Sequence, residues 1–309
     1  MTQRLPEALP GQNYVTLSAI AGGHITLPDY AFISPSEPEA KRHVPSLSFL
    51  ITHPGIAASP SLIDVPTKKP LRVLFDLGLR QRADDYLQAQ QKHLETRKPY
   101  ELFPGVPEQL RINSIDLETI DLVILSHVHY DHHGDPELFQ KSKFIVGPQA
   151  LDVLKNGLAP ELGSHQIFKA DLLPLHRTIE LPPVNDGDWK ELGPFPRVID
   201  LLNDGSMYVI DTPGHLPGHI NLLCRLSEDR WVCLAGDAFH DKRLLTGEKE
   251  MGTWNDHEGR TLCIHLDRAE AEKSIERLRQ LGHMGVEIIA AHDDRWEQVN
   301  DDKFLPGRL

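Results

Sequence analysis

The sequence predicts an α/β fold in which two sheets carry helices on their outer sides. Three observations point there. Short apolar runs, most of them rich in Val, Ile and Leu and bounded by Gly, Pro, Asp or Asn, recur along the chain and read as strands. Helical patterns fall early and late, with many strands between them. No linker strong enough to split the series interrupts the 309 residues, so 1–309 read as one domain in which burial is not limiting.

Taken in order, YVTLSAI from residue 14, LSFLIT from 47, LRVLFDLG from 71 and DLVILSH from 121 are expected strands. KFIVG from 143, SMYVID from 206, INLLCRL from 220, RWVCLAGD from 230 and VEIIAAHD from 286 continue the set. Segment 80–115 is polar, with a helix expected around QRADDYLQAQQKHLE and a Pro/Gly loop after it. DPELFQ opens with Asp135 as an expected N-cap and Pro136 at the first helical position. GPQALDVLKNG, 147–157, is a helix closing on a glycine. Residues 267–281 put Ala271, Ile275, Leu278 and Leu281 on one helical face, with Gly282 after it. Segments 80–115 and 157–197 read as loop or helix insertions on a rigid core, where substrate contacts are often made.

Composition excludes several classes. A net charge of −13 argues against a nucleic-acid backbone or an anionic membrane as partner. The opening MTQRLPEALPGQ has no apolar signal core, and no run of about 18 apolar residues follows that could span a bilayer. Cys224, Cys233 and Cys263 are an odd, sparse set expected to be reduced thiols, Cys233 as a small buried hydrophobe. A cytoplasmic protein acting on a small molecule is expected, with a homodimer left open.

SHVHYDHHGD, residues 126–135, gathers four histidines and two aspartates. DLVILSH is a strand ending at His127, and His127 and His129, two apart, project to one side in extended backbone. Asp131 and His132 follow as the chain turns. The stretch can offer two imidazoles to one ion and a carboxylate plus an imidazole to a second. Three more pieces sit at strand ends: DTPGHLPGH with His215 and His219, LAGDAFH with Asp237, and IIAAHDD with His292. Polar groups ending several apolar strands have a reason to converge if they share metal ions.

His-x-His-x-Asp-His, a Thr-Pro-Gly-His turn, Gly-Asp and a late strand-end His, in this order, resemble the metallo-β-lactamase fold superfamily of binuclear hydrolases from about residue 45 onward. The resemblance implies an αββα four-layer sandwich with the metal site at one edge of the two sheets. It implies that His127, His129 and His215 hold one divalent ion, that Asp131, His132 and His292 hold a second, and that Asp237 bridges. Zinc suits these ligands foremost; iron, manganese or cobalt would suit them too. Paired ions would acidify a shared water for attack on a carbonyl and stabilise the oxyanion. His219 would be a structural neighbour of the ligands, Asp211 a turn residue or an acceptor behind them, and His133 is unassigned. His165, His176, His265 and His283 lie outside every motif and read as surface or core histidines, and Trp254–His257 as a substrate loop or a plain surface loop.

Having both Asp131 and Asp237 resembles the lactonase and glyoxalase branches, and AAHDD and the 80–115 insertion resemble the quorum-quenching lactonases. With residues 293–309 after His292, the flavin-binding domain of redox members is not expected. Those lactonases carry a tyrosine three residues past the bridging aspartate; here the position is His240. His240 could protonate a leaving group and would suit a lactam nitrogen at least as well as a lactone oxygen. The expected activity is therefore hydrolysis of a cyclic ester or amide, with Asp131 and His240 as candidate catalytic residues. The alternative is a glyoxalase-like or carrier-protein thioester hydrolase, with Lys242, Arg243 or Arg295 anchoring carboxylates. A phosphodiesterase or a non-catalytic metal-binding scaffold ranks below both.

Overall fold

The computed structural model describes residues 4–309 apart from 59, 61, 66, 68, 160–166 and 257, so His165 and His257 lie outside the described residues. Two six-stranded sheets form the centre. The first runs in the order β1 (Thr16–Pro28), β3 (Lys41–His53), β4 (Leu71–Phe75), β5 (Leu122–Ile124), β6 (Lys143–Val146), β7 (Thr178–Glu180). β1, β3 and β4 pair antiparallel, and β4 through β7 are parallel. The second runs β16 (Glu287–Ile289), β12 (Trp231–Leu234), β11 (Ile220–Arg225), β10 (Met207–Asp211), β9 (Phe195–Asp200), β8 (Lys190–Leu192), antiparallel except for the β12–β16 pair. Two-residue strands β2 (Ile33–Ser34) and β13 (Glu250–Met251) pair beside them, and β14 (Trp254–Asn255) with β15 (Thr261–Leu262) makes a hairpin of the expected 254–257 loop.

The strand residues alternate between two cores, which is why the strands read as unbroken apolar runs. Val73 and Phe75, Leu122 and Ile124, and Ile145 point inward, where they meet Val209, Leu222, Val232, Leu234 and Ile289 of the other sheet. Leu74, Val123 and Phe144 point outward, under α2 (Val106–Ile112) and α3 (Ala150–Asn156). Tyr208, Ile210 and Cys233 point out on the opposite side, under α4 (Lys242–Thr246) and α5 (Arg268–His283). The result is the four-layer αββα sandwich. α5 buries Ala271, Ile275, Leu278 and Leu281, the expected face, but ends at His283, past Gly282. Ile275, Leu278 and Leu281 are each worth about 1.5–3 kcal/mol when fully buried.

Several local expectations are corrected. α1 (Gln88–Glu95) starts later than the QRADDYLQ pattern, after a 3-10 turn at Ala83–Asp85. DPELFQ forms only a 3-10 turn, Pro136–Leu138, and Asp135 does not cap it. Its carboxylate instead accepts hydrogen bonds from Arg80 Nη1 and the Gln81 amide, both at 3.1 Å, because the buried Arg80 guanidinium is a stronger partner than a short turn. Segment 157–197 is more than loop: it supplies the edge strand of each sheet, β7 and β8. Among the described residues no helix is long and apolar enough to cross a membrane.

Candidate metal centre

The polar residues that follow five strands converge at one edge of the sandwich. Asp76 follows β4, His127 follows β5, His215 follows β10, Asp237 follows β12 and His292 follows β16. Two glycines allow the close approach. A Cβ on Gly214, at φ +129°, would fall 2.3 Å from the Ala271 amide nitrogen at the start of α5. One on Gly236, at φ +48°, would meet Ser126 Cβ at 2.7 Å. The Pro-Gly-His and Gly-Asp pairs therefore bring His215 and Asp237 against their neighbours where no larger residue would fit.

Two clusters result. In the first, Nε2 of His127, Nδ1 of His129 and Nε2 of His215 lie 2.8–3.2 Å from one another. Asp237 Oδ2 completes it, 3.7 Å from His127 Nε2 and 3.4 Å from His215 Nε2. In the second, Asp131 Oδ2 lies 3.6 Å from His292 Nε2. The other oxygen of Asp237, Oδ1, sits 3.2 Å from His132 Nε2 and 3.4 Å from His292 Nε2. Asp237 thus faces both clusters, one oxygen to each.

The surroundings fix which nitrogen faces inward. His132 donates its Nδ1–H to Asp76 Oδ2 at 2.9 Å, and His292 donates its Nδ1–H to the Pro45 carbonyl at 2.7 Å. The Ser126 hydroxyl donates to Asp76 Oδ2 at 2.7 Å and so accepts from His127 Nδ1 at 3.0 Å. In all three rings the Nδ1–H points away and Nε2 faces the centre. His219 accepts the Asp237 amide on Nε2 at 3.0 Å and bonds Thr212 through Nδ1, so it braces the Asp237 backbone. Asp211, at the end of β10, pairs with Arg197 at 2.7 Å.

The donor set fits divalent cations. Zinc bonds of 2.0–2.1 Å place tetrahedral ligand atoms about 3.3 Å apart, close to the spacings seen here. Burial, then the neighbouring imidazoles, push His127 and His215 well below the ordinary histidine range, so both offer lone pairs. Burial opposes charge on His132 and His292, but Asp237 outweighs it and raises both. Burial likewise opposes the Asp237 carboxylate, yet His132, His240 and His292 hold it well below the usual range. Asp237 Oδ1 and His132 Nε2 are buried without an aligned hydrogen bond. An ionised, buried carboxylate ringed by imidazole nitrogens calls for positive charge, supplied by protons on His132 and His292 or by metal ions that displace them.

Residues 71–292 match the sequence profile of the Metallo-beta-lactamase superfamily. The chain belongs to that superfamily. Gamma-lactamase FDB1 of Fusarium pseudograminearum (strain CS3096) is 30% identical over 216 residues, 63% of this chain and 45% of that protein. Cytochrome P450 monooxygenase mpaDE' of Penicillium brevicompactum is 28% identical over 261 residues, 77% of this chain and 30% of that protein. The chain therefore spans less than half the length of these two relatives. Among solved structures, an N-acyl homoserine lactone hydrolase with N-hexanoyl-L-homoserine at its catalytic metal centre superposes with a TM-score of 0.65 at 18% identity, covering 100% of both chains.

As in other folds with strand-end sites, the superfamily member here opens its centre to a cleft. Leu27, Phe32, Tyr130 and Ile264 line it beside Asp131, Asp237 and His240. The cleft is tight: its free volume is about 20 Å³, room for about one water molecule. His240 is buried, with Nε2 3.0 Å from Asp237 Oδ2 and its ring stacked on His292. Burial keeps it below the ordinary histidine range despite Asp237.

Some side chains the sequence did not single out also reach the centre. Arg97 and His93, just past and within α1, form part of the cleft wall. Arg97 Nε donates to His93 Nε2 at 3.1 Å, and its side chain hydrogen-bonds Tyr130. Burial and Arg97 drive His93 down to about 3, and burial drives the Tyr130 hydroxyl up, so both partners of Arg97 are neutral. His265, expected as an ordinary surface or core histidine, is buried with its ring 5.1 Å from His215 and 5.3 Å from His240. His176 and His283 are exposed as expected. His133 is packed, with Nδ1 on the Gly134 carbonyl. The expected carboxylate anchors are weakly placed: Arg243 is held by both oxygens of Asp241, and Lys242 faces Asp293.

Proposed function

We propose that the protein is a binuclear metal-dependent hydrolase that opens a small cyclic amide or ester. The observation that carries this reading is Asp237, whose two oxygens face separate clusters of imidazoles at the wall of the cleft. His127, His129 and His215 would hold one ion, Asp131, His132 and His292 the other, and zinc suits both sets. Ions held there supply Lewis acidity for a carbonyl oxygen and hydroxide at neutral pH.

The chain's own residues do the rest. Leu27, Phe32 and Ile264 give the ring an apolar bed. Arg97, whose side-chain partners His93 and Tyr130 are neutral, keeps its charge to donate to an oxygen of the substrate's substituent or ring carbonyl. His240, beside Asp237, directs a ring nitrogen at the departing atom and hydrogen-bonds it as the ring opens. The histidine and the γ-lactamase relative favour a lactam; the lactone stays as the second ring class because the same geometry serves both. The commitment of Arg243 to Asp241 disfavours a thioester bearing peptide carboxylates.

The test is an Asp237→Asn variant. Loss of ring opening together with loss of bound zinc supports the reading. Full turnover in the variant would overturn it.

A further inference from the structure

A second cluster of ligand-type side chains lies on the rim formed by β1, β3 and the 80–115 segment, away from Asp237. His24 of β1, His43 of β3 and Glu101 bring one ligand atom each within 4.8 Å of one another. His24 and His43 are cross-strand neighbours whose rings stack at 5.3 Å and 15°. Glu101 is locked beside them by a reciprocal backbone pair, His24 N to Glu101 O and Glu101 N to His24 O, both at 2.8 Å. Its carboxylate therefore has little backbone freedom left to lose on binding.

The hydrogen bonds decide which nitrogens face the carboxylate. His24 Nε2 is 2.9 Å from Glu297 Oε1, which can only accept, so a ring proton sits on Nε2 and it is Nδ1 that faces Glu101. Glu297, and after it Glu101, raise this ring above the ordinary histidine range, so a proton and a metal ion compete for Nδ1. Thr26 Oγ1 donates to the Pro99 carbonyl at 2.7 Å and so accepts from His43 Nδ1 at 3.2 Å, leaving His43 Nε2 bare. His24 Nδ1 and His43 Nε2 each lie 3.7 Å from an oxygen of Glu101. That is too long for a hydrogen bond and close to the ligand spacing, about 3.3 Å, around a shared zinc ion. Two lone pairs and a carboxylate facing one point repel one another unless a cation or a proton lies between them.

We propose that His24, His43 and Glu101 form a separate site for a divalent transition-metal ion such as zinc, open to solvent on its remaining side. Glu297 and Thr26 orient its two imidazoles as outer partners orient metal-bound histidines elsewhere. The ion fastens the 80–115 segment to β1 and β3, and that segment carries His93 and Arg97 to the cleft. This inference does not depend on the proposed hydrolase reading, since none of the three residues belongs to the centre around Asp237.

The experiment is equilibrium dialysis of the full chain against micromolar Zn²⁺, with bound zinc measured per chain in wild type, His43→Gln, Glu101→Gln and Asp237→Asn. His43 and Glu101 are exposed, so their variants should fold, and melting curves check this. The expected result is one zinc ion fewer in His43→Gln and in Glu101→Gln than in wild type, with that ion retained in Asp237→Asn. Equal zinc in wild type, His43→Gln and Glu101→Gln would overturn the proposal and mark the cluster as a proton-sharing pair of histidines.

Discussion

Asp76 Oδ2 accepts the Nδ1–H of His132 at 2.9 Å, and neither residue is more than 1% exposed at its side chain. The same carboxylate accepts the Ser126 amide and hydroxyl, so one residue at the end of β4 holds His132, a proposed ligand, and the start of the 126–135 stretch together. It acts through His132, not on substrate. Asp76→Asn keeps the shape and removes the charge. Zinc affinity should fall about 10–100-fold, the usual cost of losing an outer partner, while circular dichroism stays unchanged. Unchanged zinc affinity in the variant would show that His132 needs no such support.

His240 touches the cleft and Asp237 but lies outside both ligand clusters as assigned. His240→Ala should lower kcat by about 10²–10⁴-fold if it assists the leaving atom, with bound metal unchanged. The loss should be larger for a lactam than for an ester with a good leaving group. A drop in bound zinc in place of a kcat effect would make His240 a ligand.

Arg97 should govern recognition and not chemistry. Arg97→Met is expected to raise KM about tenfold or more for substrates with an anionic or carbonyl substituent, the scale of a charged hydrogen bond, and to leave kcat within a few-fold. Substrates lacking that acceptor should not notice the change. Equal effects on both substrate sets would remove Arg97 from recognition.

At the opposite end of the sandwich, His53 Nε2 bonds Asp204 Oδ2 at 2.8 Å, and Asn13 and Ser206 donate to the same carboxylate. Burial opposes its charge, but these partners outweigh it and hold Asp204 at about 2. A depressed carboxylate stabilises the fold fully above its unfolded pKa near 3.9 and loses that contribution as pH falls toward 2. With its edge partly open to water, the contribution is about 1–2 kcal/mol. Asp204→Asn should lower the melting temperature at pH 7 and flatten the acid limb between about pH 4 and 2. An unchanged acid limb would place the acid sensitivity elsewhere.

How far the sequence led depended on burial. The expected strands from YVTLSAI to VEIIAAHD all form because both faces of each are covered, which leaves an unbroken apolar run to read. β7 and β8 were missed for the opposite reason: they are three-residue edge strands, largely uncovered, with polar composition. β9 was missed because Pro196 and Arg197 interrupt its run. The residues that converge on Asp237 were legible because they occur as dense motifs just after apolar strands. Asp76 stood in the same kind of place, after LRVLF, but a lone carboxylate carries no motif. Arg97, His93 and His265 gave no local signal, since only the folded path of the 80–115 segment and of the stretch before α5 brings them to the cleft. Asp135 satisfied the local rule for a helix cap, and a tertiary partner, Arg80, overrode it.

The most direct measurement is mass spectrometry of a γ-lactam, a γ-lactone and a glutathione thioester after incubation with the zinc-loaded protein and with the same protein stripped by a chelator. Mass change detects lactam opening even where the released amine takes up the acid's proton. The account predicts that the lactam, and to a lesser extent the lactone, gains one water with the zinc-loaded protein and not with the stripped one, and that zinc restores the activity. Turnover of the thioester alone, or ring opening that survives removal of the metal, would contradict it.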